Sequence, residues 1–413
     1  KMNQHLGIYT SNLFKKEEMI EGLLAGTFLS EKIQTKGLSG ELFSSIRIKK
    51  LIDLEDRHGF SEVTAKGEKI LAKMSSGEQK KALLNYLLKQ QCDFIVLDDA
   101  FGNLDKASQA ALREQMASMA EKVIFIQIFH LRVDVLPFID TVLSLEGKQV
   151  KEENRSTFLA TQEETVTFSR PLPPSITPFP ELGNPLIAFN KVSVSYEGRK
   201  ILHEIEWQIN KGDFWQLVGP NGSGKSTMIT MISGDNPKAF GQDLVLFGRK
   251  KGTGENVWQI KKQIGYFTPS MTQQFTRLDS VEKMILGGFF DSVGLYIKPT
   301  ELQTRLAQDW LHFLEMYDLR NKPFDFLTLG QQRMVLIARA MVKHPPLLIL
   351  DEPTTGLDDH NMALFTALVN KIAEESKTAI LYVSHRTELG LKPKAIFELT
   401  PSENGSTGSV IIN

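Results

Sequence analysis

Cysteine is almost absent from this sequence: Cys92 is the only one in 413 residues. A single thiol excludes a disulfide framework and suits a reducing compartment. It stands just before an apolar strand, where a buried thiol packs as a small hydrophobe. Long apolar runs are missing too. No stretch approaches the ~18 consecutive apolar residues that cross a bilayer, and no signal peptide is visible. Charge of one sign is not in excess: 48 Lys and Arg face 49 Asp and Glu, a net charge of -1. That balance leaves no overall electrostatic footprint for gripping nucleic acid. The expectation is a water-soluble, cytoplasmic protein of two or three domains, each large enough for its own core.

What the chain does have is a glycine-rich loop. Gly219-Pro220-Asn221-Gly222-Ser223-Gly224-Lys225-Ser226 fits G-x-x-x-x-G-K-[ST] and follows an apolar strand, Phe214 to Val218. Strand before and helix after is the setting a phosphate-binding loop requires, and a chance glycine turn would lack it. The glycines let successive backbone N–H groups turn inward as a nest for phosphate oxygens. Lys225 then reaches the β- and γ-phosphates, the Ser226 hydroxyl takes a Mg²⁺ position, and Thr227 continues the first helical turn at the nucleotide. The expected ligand is a nucleoside triphosphate.

A second set of motifs repeats at matching spacing. Leu347 to Leu350 run into Asp351-Glu352-Pro353-Thr354-Thr355-Gly356-Leu357-Asp358, and Phe94 to Leu97 run into Asp98-Asp99-Ala100-Phe101-Gly102-Asn103-Leu104-Asp105. Ahead of them lie Leu327-Thr328-Leu329-Gly330-Gln331 and Met74-Ser75-Ser76-Gly77-Glu78; after them, apolar strands end at His385 and His130. A unit this long is a duplicated domain. Residues 150–185 between the halves are polar and proline-rich, an extended semi-rigid linker. Elsewhere apolar strands alternate with amphipathic helices, the pattern of a parallel sheet covered by helices.

Phosphate loop, L-S-G-G-Q-like signature, Asp-Glu pair and downstream histidine, in that order, resemble an ATP-binding cassette (ABC) ATPase. The resemblance covers nearly the whole chain as two tandem cassettes without a membrane domain. The stretches Phe214 to Gly222, Gly254 to Lys262 and Gly288 to Tyr296 are similar to the ModF type of tandem cassette, a group associated with molybdate-transport loci. The implied fold is α/β: two P-loop NTPase domains, residues 1–149 and 186–413, each a mainly parallel sheet with flanking helices and a helical subdomain. The resemblance places Tyr196 under adenine, where a π-face holds the base without strict selection. It makes Asp351 a Mg²⁺ anchor, Glu352 the base that orients and deprotonates water, and His385 the γ-phosphate contact. One departure is Ser270, standing where the family carries glutamine on the loop after Ile264 to Phe267; its shorter arm weakens any link to a membrane partner.

In this family cassettes pair head to tail, so each ATP lies between one phosphate loop and the other cassette's signature. That arrangement implies two unequal sites. One joins Gly222, Lys225, Ser226, Asp351, Glu352 and His385 to Ser75, Ser76 and Gly77, with Glu78 putting a carboxylate near the nucleotide. The other would join Thr328 and Gly330 to the first cassette's own loop, where Leu13-Phe14-Lys15-Lys16-Glu17 fall over Gly222 to Ser226. Side chains at positions 13 and 15 disfavour the positive φ a nest demands, and Glu17 replaces the metal serine. Asp99 is one methylene shorter than a general-base glutamate, and such misplacement costs on the order of 10²-fold in rate. The chain also opens almost on this loop, so the first cassette reads as shortened at its N-terminal side. The expectation is about one ATP turned over per chain cycle, at the Lys225 site.

A tether of 36 residues, 150–185, has a reach of about 30–35 Å, which favours pairing within one chain; edge strands of the first cassette offer a second copy as the alternative. Three partner readings remain open: a membrane permease at the inner face of the membrane, docked through Met284 to Tyr296; a ribosome- or nucleic-acid-acting ATPase; and a nucleotide-gated binding protein with little turnover. The linker is short and not basic, and Arg249-Lys250-Lys251 and Lys261-Lys262 read as solvated faces, so the signal for nucleic acid is weak.

Overall fold

The computed structural model describes residues 4–11, 16–58, 63–64, 70–147, 149–160, 166–178, 181–275, 279–292, 294–385 and 388–412. The chain divides into two compact units, Lys1–Glu164 with Gly356–His360, and Thr165–Thr355 with Asn361–Asn413.

In the first unit six strands are β1 (Leu6–Thr10), β2 (Gly40–Phe43), β3 (Phe94–Asp98), β4 (Ile124–Phe129), β5 (Thr141–Glu146) and β6 (Gln149–Asn154). They form one sheet in the order β2-β3-β4-β1-β5-β6, parallel except for the β5–β6 pair. Its central strands are continuous apolar runs because both faces are covered. Phe94 and Val96 pack with Met19, Ile20 and Leu23 of the helix Lys16–Ala25. Ile95 and Leu97 face the opposite way, into Leu83, Leu84 and Leu87 of the helix Ser76–Lys89 and Leu112 and Met116 of the helix Lys106–Met119.

The second unit repeats this sheet and adds another. Its strands are β7 (Ile187–Tyr196), β8 (Arg199–Ile209), β9 (Phe214–Val218), β10 (Leu244–Leu246), β11 (Arg249–Lys250), β12 (Ile264–Phe267), β13 (Leu347–Asp351), β14 (Ala379–Ser384), β15 (Ala395–Thr400) and β16 (Thr407–Ile412). The six-stranded order is β12-β13-β14-β9-β15-β16, and an antiparallel sheet runs β11-β10-β7-β8. The repeat is in register residue by residue. Leu6 pairs with Ile126 as Trp215 pairs with Leu381, and Asp98 pairs with Ile128 as Asp351 pairs with Val383. The antiparallel sheet gives Ile187, Phe189 and Val192 to the core shared with Met228, Ile229 and Ile232 of the helix Lys225–Ile232.

The expected linker is more structured than its composition suggests. Residues 150–154 belong to β6, and Arg155–Ala160 is a helix whose Phe158 is fully buried in the first unit. Further on, Phe168 stacks on Phe313 with ring centroids 4.9 Å apart, and the Leu172 backbone N–H donates to the Glu375 carboxylate at 2.8 Å. This part of the segment is packed onto the second unit. Among the described residues no helix is long and apolar enough to cross a membrane.

Candidate functional site

The end of β9 turns through Gly222 and Gly224 at φ +78° and +99°, conformations that L side chains rarely adopt. A Cβ on Gly224 would also lie 2.6 Å from Leu202 Cδ2, so both backbone and space demand glycine there. Lys225 opens the following helix and donates from Nζ to the Gly219 and Pro220 carbonyls, at 2.6 and 3.1 Å. Ser226 and Asn221 are exposed, and Thr227 is half-buried beside them. Ser223 Oγ is buried with no hydrogen-bond partner among the described residues. That hydroxyl lies against the base of the loop, near Gly219. The positive-φ glycines and the helix that starts at Lys225 form a cradle that fits phosphate groups. Tyr196 ends β7 half-exposed, its hydroxyl accepting from Asn236 Nδ2 at 2.7 Å and Lys238 Nζ lying 5.9 Å from its ring centroid.

Two carboxylates end β13. Burial, and then the neighbouring Glu352, push the Asp351 carboxyl up to about 6, against the pull of Lys225 and of the Tyr266 hydroxyl 3.5 Å away. A divalent cation reverses that balance by favouring the ionised form, which suits the Mg²⁺ role expected of Asp351 with Ser226. Among the described residues no cluster of His, Cys, Asp and Glu forms a protein-only metal site, so such an ion would lean on substrate phosphates and water. Glu352 sits at φ +49°, its N–H held by the Val383 carbonyl at 2.9 Å. Its Oε2 lies 2.7 Å from His385 Nδ1. The imidazole is buried, and its Nε2 has no partner among the described residues.

The first unit builds the same positions differently. Leu13 and Lys15 lie outside the described residues. Lys16 begins its helix as Lys225 does, but its Nζ pairs with Asp98 Oδ1 at 3.2 Å. An ammonium neutralised by a carboxylate offers little to a phosphate. Glu17 is exposed. Asp99 shares the positive φ of Glu352, at +46°, but its carboxylate folds over Gly102, where a Cβ would meet Oδ2 at 2.3 Å. His130 turns Nδ1 to the Thr10 carbonyl at 2.7 Å instead. Burial, and then Lys16, lower its pKa.

Ser75 caps the helix Ser76–Lys89 in a capping box: its Oγ accepts from Glu78 N–H, and its own N–H donates to Glu78 Oε2 at 2.6 Å. The Glu78 carboxylate is thus turned back onto the cap rather than held out toward a ligand, the same work Gln331 does for Thr328. Gly77 leaves room for Ser108, whose Oγ would be 2.9 Å from a Cβ. Ser76, Gly77 and Glu78 supply the first N–H groups of a helix, the end that favours anions.

Sequence reasoning passed over Tyr266 and Asn236, which touch Asp351 and Tyr196; residues brought together by separate strands leave no spacing to read. In the stretch Met284 to Tyr296, Met284, Ile285 and Leu286 are core, Val293 lies outside the described residues, and Phe290 lines a groove of about 480 Å³ with Trp258, Tyr266 and Met271. Cations at this groove are largely paired, Lys261 with Asp235 and Lys343 with Asp291. Ser270 lies just before the short helix Met271–Gln274.

Residues 202–355 match the ABC transporter family. The ABC transporter ATP-binding protein ModF of Escherichia coli K12 is 39% identical over 342 residues, 79% of this chain and 69% of that one. This chain belongs to the ABC ATPases. An uncharacterized ABC transporter ATP-binding protein of Schizosaccharomyces pombe is 29% identical over 77% of the chain and 66% of its own length. The chain thus spans about two thirds of these relatives. The ABC fold is also found in a model of ribosome-bound archaeal Pelota and ABCE1, with TM-score 0.67 at 14% identity over 100% of this chain and 75% of that one.

Proposed function

We propose that this ABC ATPase hydrolyses Mg-ATP at one competent site, built around Lys225, and that the corresponding site of the first unit is catalytically silent. The observation that carries this is the contrast between two strand ends at equivalent register: Glu352 bonded to His385 beside a glycine nest, against Asp99 folded over Gly102 beside a Lys16–Asp98 ion pair. Bound Mg²⁺ would polarise the γ-phosphate and offset its charge. Lys225 and the backbone N–H groups of the loop neutralise phosphate oxygens, and Tyr196 stacks on the base. Glu352 takes a proton from the attacking water, with His385 fixing its carboxylate and presenting Nε2 toward transferred charge. Glu352→Gln should abolish steady-state ATP hydrolysis, whereas Asp99→Asn should retain more than half; equal losses from both would refute the asymmetry.

We further assign the work of this ATPase to transport at the cytoplasmic face of a membrane. Support comes from the name of the ModF relative and from the aromatic groove at Trp258 and Phe290, which suits a segment of a permease. The likeness to ribosome-bound ABCE1 is one of fold alone. Capture of the Glu352→Gln protein with ATP should enrich a membrane protein, and Trp258→Ala should release it. Enrichment of ribosomal subunits instead would overturn this assignment.

A further inference from the structure

The loop after β13 and the loop after β14 are joined twice in the second unit. One join is Glu352 Oε2 to His385 Nδ1 at 2.7 Å; the other is Thr354 Oγ1, which donates to Glu388 Oε1 at 2.7 Å. Both partners of the second join are buried, at 8% and 5% exposure. Breaking a hydrogen bond between two buried groups leaves a polar atom unsatisfied, which is costly in a protein interior. The two joins tie Glu352 and Thr354 of one loop to His385 and Glu388 of the other.

The first unit supplies an internal control. By strand register Phe101 stands at the position of Thr354 and Val133 at that of Glu388, and neither side chain can make the bond. Phe101 packs under the Arg113 guanidinium instead. In that unit the histidine does not hold the acid; it turns to the Thr10 carbonyl. The other anchors of the loop are common to both units. Arg333 donates to the Thr355 carbonyl as Lys80 donates to that of Gly102, and Glu352 N–H meets Val383 as Asp99 N–H meets Ile128. Positive φ at Glu352 and Asp99 is also shared. Two things separate the units here: the acid of the first unit is one methylene shorter, and the second join is missing there.

We propose that Thr354 and Glu388 are positioning residues for hydrolysis, a second link between the two loops that keeps the His385 imidazole on the Glu352 carboxylate. This rests on the reading of Glu352 as the general base. Neither residue touches nucleotide in this role, so their loss should act on the chemical step and spare binding.

The test uses the full chain with Thr354→Val, Thr354→Ser and Glu388→Gln, each with and without Glu352→Gln. Thr354→Val keeps the shape and removes the hydroxyl. Its kcat should fall about 10-fold with KM and the Kd for an ATP analogue within about 2-fold, while Thr354→Ser restores at least half of kcat. Glu388→Gln retains an acceptor and should fall between them. In the Glu352→Gln background the Thr354 substitution should cost nothing more. An unchanged kcat for Thr354→Val, or a loss shared equally by nucleotide affinity and not rescued by serine, would overturn the positioning role. If Glu352→Gln itself stays active, the base assignment fails, a result distinct from failure of the second join.

Discussion

Asp351 shows how a single residue trades stability for chemistry. In the folded, metal-free protein its carboxyl keeps its proton up to about pH 6, whereas an unfolded chain releases it near pH 3.9. Between those values the folded state binds more protons than the unfolded one, so stability falls as pH rises through the window. Above pH 6 the whole cost of burying that charge, and then of holding it beside Glu352, is present. Asp351→Asn removes that charge. Discounted for its partial exposure, the relief is about 1 kcal/mol, or about 2–4 °C in melting temperature for a domain of this size. The nucleotide-free variant should therefore melt higher than the parent at pH 7.5, with the difference vanishing below about pH 4, while ATP hydrolysis is lost. Melting curves at two pH values without Mg²⁺ check this, and a lower melting point at pH 7.5 would contradict the burial argument.

At the scale of elements, the signature helices depend on their caps. Glu78 bonds back to Ser75 as Gln331 bonds back to Thr328, so Glu78→Gln should keep the cap and change stability by less than about 0.5 kcal/mol. Glu78→Ala should cost about 1 kcal/mol in chemical denaturation, the usual worth of such a cap. Nucleotide affinity should be the same for parent and Glu78→Gln; a clear gain would restore the view of Glu78 as a charge facing the ligand. The capping role is legible only in part from sequence, since S-x-x-E announces the box but not which way a carboxylate is used once a ligand is also expected. Strands are far more legible. Phe94 to Leu97 and Leu347 to Leu350 must be buried on both faces, and the Asp that ends each marks the C-terminal edge of the parallel strands. The Lys225 loop is legible because glycine spacing is a backbone requirement. The Glu352–His385 and Thr354–Glu388 bonds are not, because each joins loops that follow different strands. Residues 150–160 mislead for a related reason: the β6 residues are polar because their strand lies at a sheet edge, not because they form a tether.

For the whole molecule, the question is where the second unit begins as a folding body. Composition puts the boundary after residue 185, but Thr165 onward groups with the second unit. The contacts are specific: Phe168 on Phe313, the Lys371 ammonium to the Phe168 carbonyl at 3.4 Å, Leu172 N–H on Glu375, and His344 Nε2 donating to the Pro173 carbonyl at 2.9 Å. Glu375, bonded first by Lys371 and then by Leu172 N–H, has its pKa lowered. An aromatic pair adds about 0.5–1.5 kcal/mol and a hydrogen bond to a charged group about 1.5–3 kcal/mol, less where solvent reaches it. Together they put the segment's contribution at about 2 kcal/mol. A fragment of residues 166–413 should therefore melt about 4–8 °C above one of 186–413. Phe168→Ala in the longer fragment should recover about half of that gap. Equal melting points for the two fragments would return residues 166–185 to the role of a passive spacer.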